Sequence, residues 1–351
     1  VTPVNQSSTP LRILLATDAW RPQVNGVVRS WETSIAKLQE RGHTVAVLEP
    51  GMFLGVAAPL YNEIRLAITS RRVIASCIRE FRPDVIHIAT EGPVGLSVRG
   101  YCQRNRRPFT TSYHSNFPEF LEHLVSFPAR WSYRYMRWFH SASRCVLVST
   151  PTLERDLRAR GFNHLARWSR GVDLSLFYPR PKTFDYPRPI QLYAGRVSRE
   201  KSVEAFLATD TPGTKIVVGD GPMREQLQRA FPKAVFLGYR RGPALAEAYA
   251  NADVFVFPSK TDTFGLVMIE AMACGIPVAA YPVLGPIDVV TAPGVGCLHK
   301  DLATAIKLAL ISGNADACVQ HARQFDWDRC TDQLLANFVS AKPMSSPNPF
   351  S

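Results

Sequence analysis

Acidic residues are scarce in the first half of this 351-residue chain, cysteines are few, and no long hydrophobic run is free of helix breakers. Each shortage excludes something. The longest apolar run, Leu266 to Val283, contains Glu270, Gly275, Pro277 and Pro282, which argues against a transmembrane helix. The seven cysteines are odd in number and include no Cys-x-x-Cys pair, so neither a disulfide framework nor a zinc site is indicated; they read as reduced, buried thiols. No signal-peptide pattern is visible, and the expectation is a cytoplasmic protein. Val1 to Arg180 carries 13 Asp+Glu against 24 Lys+Arg, a net +11, whereas residues 181–351 carry 16 against 17, a net +1. Basicity confined to one half points to an anionic partner for one domain: nucleic acid, an anionic membrane surface or an acidic small molecule.

What is present fits two domains of α/β class. "LRILLAT", "TVAVLEP" and "PDVIHIAT" in the first half, and "PIQLYAGRVS", "TKIVVGDGP", "AVFLGYR" and "ADVFVFPS" in the second, are apolar runs of strand length. They alternate with amphipathic stretches such as "VVRSWETSIAKLQERGH" and "MREQLQRAF". A helix with Arg65, Arg71 and Arg72 near its start is expected between the second and third strands. Fully apolar strands alternating with helices mean parallel sheets covered on both faces, hence two doubly wound, Rossmann-like domains. The proline-bearing stretch Tyr178 to Pro189 reads as the linker, giving domains 1–182 and 183–322 and a C-terminal helical segment 323–342. Ligands of such sheets bind beyond the carboxyl ends of the strands, so two facing sheets imply an interdomain cleft.

The stretch "TDTFGLVMIEAMACG", Thr261 to Gly275, sets Glu270 inside an apolar segment eight positions after Asp262. A buried carboxylate needs a partner or a ligand. If a helix starts at Gly265 or Leu266, its first-turn N–H groups form a site for a diphosphate, approached closely because Gly265 has no side chain. Glu270, on the rim of that turn, is then placed to accept from ribose hydroxyls, and Asp262 from hydroxyls of a group beyond the diphosphate. The alternative is an interior acid paired with an arginine. Arg196 and Lys201, after another strand, add two cations suited to a diphosphate. Gly219 in "VVGDGP" permits a tight turn near a base or ribose, or is only a turn. The single Asp-x-Asp, Asp326-Trp327-Asp328, sits at a helix start, where Asp326 reads as a cap and not as a metal ligand.

These segments, with "TDAWRPQVNGVV", "GVDLSLFYP" and "GRVSREKS", make the chain resemble GT-B-fold retaining glycosyltransferases of family four, among them mannosyl-, glucosyl- and sulfoquinovosyl-transferases. The resemblance covers nearly the whole chain. It departs from the family at Asp262, where the E-x7-E signature has glutamate, at Ser202, where the pattern G-R-x5-K-G ends in glycine, and at Asn25-Gly26, where Gly-Gly is frequent. It implies that Arg196 and Lys201 bind the donor diphosphate and Glu270 the ribose. Asp262 and the Phe264-Gly265-Leu266 backbone would hold the donor sugar, with Gly238 and Tyr239 near the base. From the first domain, Asn25-Gly26 would lie against phosphates or sugar, and His114 would reach the sugar. It further implies that the C-terminal segment returns to the first domain. The resemblance also implies retention of configuration by same-face attack, the leaving phosphate taking the acceptor proton, a scheme that needs no metal or other cofactor. UDP-glucose, UDP-glucuronate and GDP-mannose all fit the motifs.

The acceptor is read from "SFPARWSYRYMRWFHSASR", Ser126 to Arg144. Arg130, Arg134, Arg137 and Arg144 fall on one helical stripe, with Trp131, Tyr135 and Trp138 on an adjacent one. Such a helix lies in an anionic interface, or else it is a surface helix whose aromatics pack on the sheet. The net +11 favours the membrane: a peripheral enzyme on the inner face, with a lipid acceptor such as diacylglycerol. The alternatives are a soluble or polyprenyl-linked glycan as acceptor, or a nucleotide-sugar epimerase. No nucleic-acid motif accompanies the charge, so nucleic acid is not expected as a partner.

Overall fold

The buried apolar runs of the sequence become the strands of two parallel sheets. The computed structural model describes residues 9–23, 25–58, 61–114 and 129–342, in two compact units: Val1–Ser169 with Asp328–Ser351, and Arg170–Trp327. The division falls at Ser169/Arg170 and not at 182/183. The proline-bearing stretch expected to be a linker is instead fastened to the second unit. Lys182 and Arg188 pair with Asp253, and Asn251 accepts from the backbone N–H groups of Thr183 and Phe184.

In the first unit, β1 (Arg12–Ala16), β2 (Thr44–Leu48), β5 (Val85–Ile88), β6 (Thr110–Tyr113), β7 (Val146–Val148) and β8 (Leu165–Arg167) form one all-parallel sheet, in the order β2-β1-β5-β6-β7-β8. β3 (Gly55–Ala58) and β4 (Tyr61–Ala67) stand outside it as an antiparallel ribbon. Arg65 therefore lies on a strand, and the helix expected around it begins only at Arg71. The helices are α1 (Gly26–Glu40), α2 (Arg71–Phe81), α3 (Pro93–Arg104), α4 (Ala129–His140) and α5 (Pro151–Ala159). Residues from Asp328 on belong to this unit: Arg41 binds Asp332 at 2.5 Å, and Ala341 N–H donates to the Asp84 carbonyl at 2.7 Å.

The second unit repeats the plan. Its strands are β9 (Ile190–Ala194), β10 (Thr214–Val218), β11 (Val235–Gly238), β12 (Val254–Phe257), β13 (Val278–Ala280) and β14 (Gly296–Leu298), in the all-parallel order β11-β10-β9-β12-β13-β14. Helices α6 (Val203–Leu207), α7 (Arg224–Ala230), α8 (Pro243–Asn251), α9 (Leu266–Ala273) and α10 (Pro286–Val289) connect the strands, and α11 (Leu302–Ser312), α12 (Ala315–Ala322) and α13 (Trp327–Asn337) follow the last of them. Strand order reverses between β1 and β5 in one sheet and between β9 and β12 in the other, the crevice position where doubly wound sheets hold ligands. Among the described residues no single helix is long and apolar enough to cross a membrane. Burial pushes the Cys102 and Cys318 thiols up to about 12, so both stay protonated, and all seven cysteines are free.

Candidate functional site

The switch point of the second sheet gathers the signature residues of that half. Three adjacent strands, β11, β10 and β9, deliver Gly238, Gly219 and Gly195 side by side: Gly195 N–H donates to the Val218 carbonyl and Gly219 N–H to the Gly238 carbonyl, both at 2.9 Å. A Cβ on Gly219 would lie 1.8 Å from the Gly195 carbonyl oxygen, so backbone packing alone demands glycine there. Tyr239 follows, about half exposed, with the Arg241 guanidinium 5.8 Å from its ring centroid. Arg224, which the sequence did not single out, brings a further cation to this edge, bonded to Asp220 at 2.9 Å and close to Gly238.

Arg196 and Lys201 follow β9. The Arg196 carbonyl accepts from the Tyr193 hydroxyl at 2.7 Å, which anchors the turn. Lys201 ends a short 3₁₀ turn, and its Nζ donates to Asp262 Oδ1 at 2.6 Å, both side chains about one-quarter exposed. The fold thus joins two residues that the sequence reading assigned to different parts of a ligand. Ser202 adopts the left-handed conformation (φ 53°, ψ 36°), which accounts for glycine in the family pattern. Ser202→Gly is expected to raise unfolding free energy by up to about 1 kcal/mol in urea titrations, relief of strain outweighing the added freedom of the unfolded chain. A fall would show that the serine side chain holds the turn.

β12 leads through Ser259, whose buried Oγ has no hydrogen-bond partner among the described residues, to the loop carrying Asp262. The Phe264 ring is buried against Phe325, so only its backbone is available to a ligand. Gly265, at φ 87°, is the N-cap of α9 and offers no side chain to cap it, and a Cβ there would come within 2.7 Å of Met268. Leu266 opens the helix. Glu270, expected on the rim, is buried at 4% exposure, and the Tyr249 hydroxyl from α8 donates to its Oε2 at 2.9 Å. The fold supplies a tyrosine that aims one carboxylate oxygen.

In the first unit Asn25 is the N-cap of α1; its Oδ1 accepts from Val27 and Val28 N–H, each at 3.0 Å. Its side chain therefore closes the helix end, while Gly26 is exposed with open space where a Cβ would stand. His114, at the end of β6, is held by side chains: Trp31 Nε1–H donates to its Nε2 at 2.9 Å, and Ser112 Oγ lies 2.8 Å from the same atom. An indole N–H only donates, so Nε2 accepts and the neutral ring carries its proton on Nδ1. Behind it lies His87, fully buried, bonded to Thr110 Oγ1 at 2.7 Å and Ser112 Oγ at 3.1 Å and packed on Trp31. Burial, with a smaller contribution from His140, lowers His87 to about 3, so it is neutral. Nothing in "PDVIHIAT" separates this histidine from its apolar neighbours.

At the first sheet's switch point the Asp18 carboxylate caps α3, accepting from Val94 N–H at 2.8 Å, Gly95 N–H at 3.2 Å and Thr90 Oγ1 at 2.9 Å. Burial raises its pKa against the pull of these bonds. On α4, Arg130, Arg134 and Arg137 are exposed together with Trp131 and Trp138, each about half exposed, while Tyr133, Met136 and Phe139 turn inward. Ser126–Pro128, the start of the stretch read as a membrane helix, lie outside the described residues. No group of three or more His, Cys, Asp or Glu suited to a metal occurs among the described residues.

Comparison with known proteins identifies the family and the fold. A profile described as glycosyltransferase family 4 matches residues 24–176, and one described as glycosyl transferases group 1 matches residues 188–312. The chain is 32% identical to a GDP-mannose-dependent alpha-mannosyltransferase of Mycobacterium tuberculosis over 82% of its own length and 83% of the relative. It is 29% identical to a sulfoquinovosyl transferase of Arabidopsis thaliana (89% and 66%) and 25% identical to an alpha-monoglucosyldiacylglycerol synthase of Streptococcus pneumoniae (86% and 79%). Among solved structures, the sucrose-phosphate synthase of Thermosynechococcus elongatus superposes with a TM-score of 0.73 at 21% identity, covering 92% of this chain and 97% of that one, a likeness of fold.

Proposed function

Because the chain belongs to glycosyltransferase family 4 and so acts on a nucleotide sugar, we propose that it moves a hexose or hexuronic acid, with retention, from UDP-glucose, UDP-glucuronate or GDP-mannose to a membrane lipid such as diacylglycerol. The observation that carries the donor half is the convergence of Arg196, the Lys201–Asp262 pair and the glycine-capped start of α9 on one switch point. Cations and first-turn N–H groups there oppose the diphosphate as its bond to the anomeric carbon breaks and the electron pair stays on phosphate oxygen. Asp262 and the backbone of Phe264, Gly265 and Leu266 orient the sugar; Glu270 takes the ribose; Gly219, Gly238 and Tyr239 lie toward the base. His114 serves as a neutral hydrogen-bonding imidazole, not as a base. The acceptor hydroxyl attacks from the same face and gives its proton to the departing phosphate.

The lipid half rests on α4, which exposes two tryptophans among three arginines, the pattern of a helix lying at a headgroup layer. A relative named for monoglucosyldiacylglycerol synthesis supports it. The test is a thermal-shift panel of UDP, GDP and their sugars, followed by transfer of the stabilising sugar to diacylglycerol and to a soluble glycan. Transfer to the glycan alone would replace the lipid by a soluble acceptor.

The scheme calls for no divalent ion. Lys201→Ala is expected to lower turnover about 10²–10³-fold in steady-state assays, while activity of the parent survives EDTA. Loss in EDTA that Mg²⁺ or Mn²⁺ restores would move the charge-stabilising role from Lys201 to a metal.

A further inference from the structure

The β3–β4 ribbon presents the wrong chemistry to water. In an antiparallel pair with one face on the core, residues facing in should be apolar and those facing out polar. On the inward face Phe53 and Ala67 are buried in the first unit's core, while Arg65, opposite Ala57, is exposed. The outward set breaks the rule. Val56 stands opposite Leu66, and Ile68 N–H donates to the Leu54 carbonyl at 2.7 Å, so Leu54, Val56, Leu66 and Ile68 share one face. They are 80%, 57%, 37% and 65% exposed.

A second feature adjoins it. Three residues after Ile68, α2 begins with Arg71 and Arg72, both exposed, with no acid in its first turn and no side-chain cap at Ser70. Cations at the positive end of a helix dipole are unfavourable unless an anion stands nearby. An aliphatic face and an adjoining pair of cations without an ion-pair partner among the described residues are relieved together by one occupant, a bilayer containing anionic lipid: acyl chains take the aliphatic face and headgroup phosphates take the arginines.

We propose that the outward face of the β3–β4 ribbon, with Arg71 and Arg72, is a membrane-docking surface distinct from α4. The inference deepens the lipid-acceptor reading and rests on it for the choice of a bilayer. The test combines Leu54→Thr, Val56→Thr, Leu66→Thr and Ile68→Thr, which keep strand propensity, and separately Arg71→Gln with Arg72→Gln. Co-sedimentation with phosphatidylcholine vesicles, with and without phosphatidylglycerol, reads partitioning without donor or acceptor. The fourfold variant is expected to bind mixed vesicles at least about tenfold more weakly, and the arginine variant to lose only the increment due to phosphatidylglycerol. Unaltered partitioning of the fourfold variant overturns the proposal. So does a shift from dimer to monomer in analytical ultracentrifugation with vesicle binding intact, which assigns the face to a second copy. Transfer to diacylglycerol in detergent micelles separates the two readings: the fourfold variant should retain it. A parent protein inactive in micelles whose vesicle binding still depends on the ribbon would overturn the lipid acceptor and support the docking surface.

Discussion

Glu270→Gln is expected to lower kcat/KM for transfer by about 10³-fold, within the range set by losing the two charge-assisted hydrogen bonds proposed to the ribose hydroxyls, while the protein stays folded. Glutamine has the shape of glutamate and still offers an oxygen to the Tyr249 hydroxyl, so the contact that anchors the side chain survives. What disappears is the charge on a residue that the fold buries to 4% exposure. Tyr249→Phe is the companion variant: it keeps the carboxylate but releases its aim, and should weaken nucleotide binding more than it slows turnover. A thermal midpoint that falls together with activity in Glu270→Gln would make Glu270 a structural acid and remove it from the donor site.

Acid should destabilise the first unit through His87. An ordinary histidine of the unfolded chain takes a proton near 6.5, whereas the buried ring is held to about 3. A base whose folded pKa is depressed contributes its full stability above the unfolded value and loses it as pH falls toward the folded one. The slope between the two is about 1.4 kcal/mol per pH unit, or about 2 kcal/mol lost by pH 5 and about 3 by pH 4. Other groups titrate over the same range, so the measurement is the difference between the parent and His87→Gln in urea unfolding at pH 7, 5 and 4. That difference should shrink by these amounts on acidification. A constant difference would mean that His87 takes up its proton in the folded protein as readily as in the unfolded chain, and the neutral chain from Thr110 through Ser112 to His114 would have to be redrawn.

The sheets were legible because buried parallel strands leave continuous apolar runs, and the gathering of Gly265, Arg196 and Lys201 at one switch point because they sit at fixed offsets from strand ends. Long-range partners were not. Nothing near Glu270 in the chain announces Tyr249, 21 positions earlier, and nothing near Asp18 announces the N–H groups of Val94 and Gly95. Period-two reasoning missed the β3–β4 ribbon because Leu54, Val56, Leu66 and Ile68 face outward, filling the positions where alternation would show. The boundary was misplaced because the composition of Tyr178 to Pro189 looks unstructured, whereas Asp253 and Asn251 secure it.

Two helices hold corresponding places in the two units: α3 follows the strand across the switch point from β1, and α9 follows the strand across it from β9. Both start after a glycine, Gly92 and Gly265. In one, Asp18 supplies the anion that the helix end attracts, a carboxylate built into the chain in the position a phosphate would take; in the other, glycine leaves that office to something from outside. A twice-repeated architecture is thereby made unequal by a single side chain. The first sheet carries its own counterfeit ligand and is committed to other business, which is why a protein with two nucleotide-type folds should bind one nucleotide per chain.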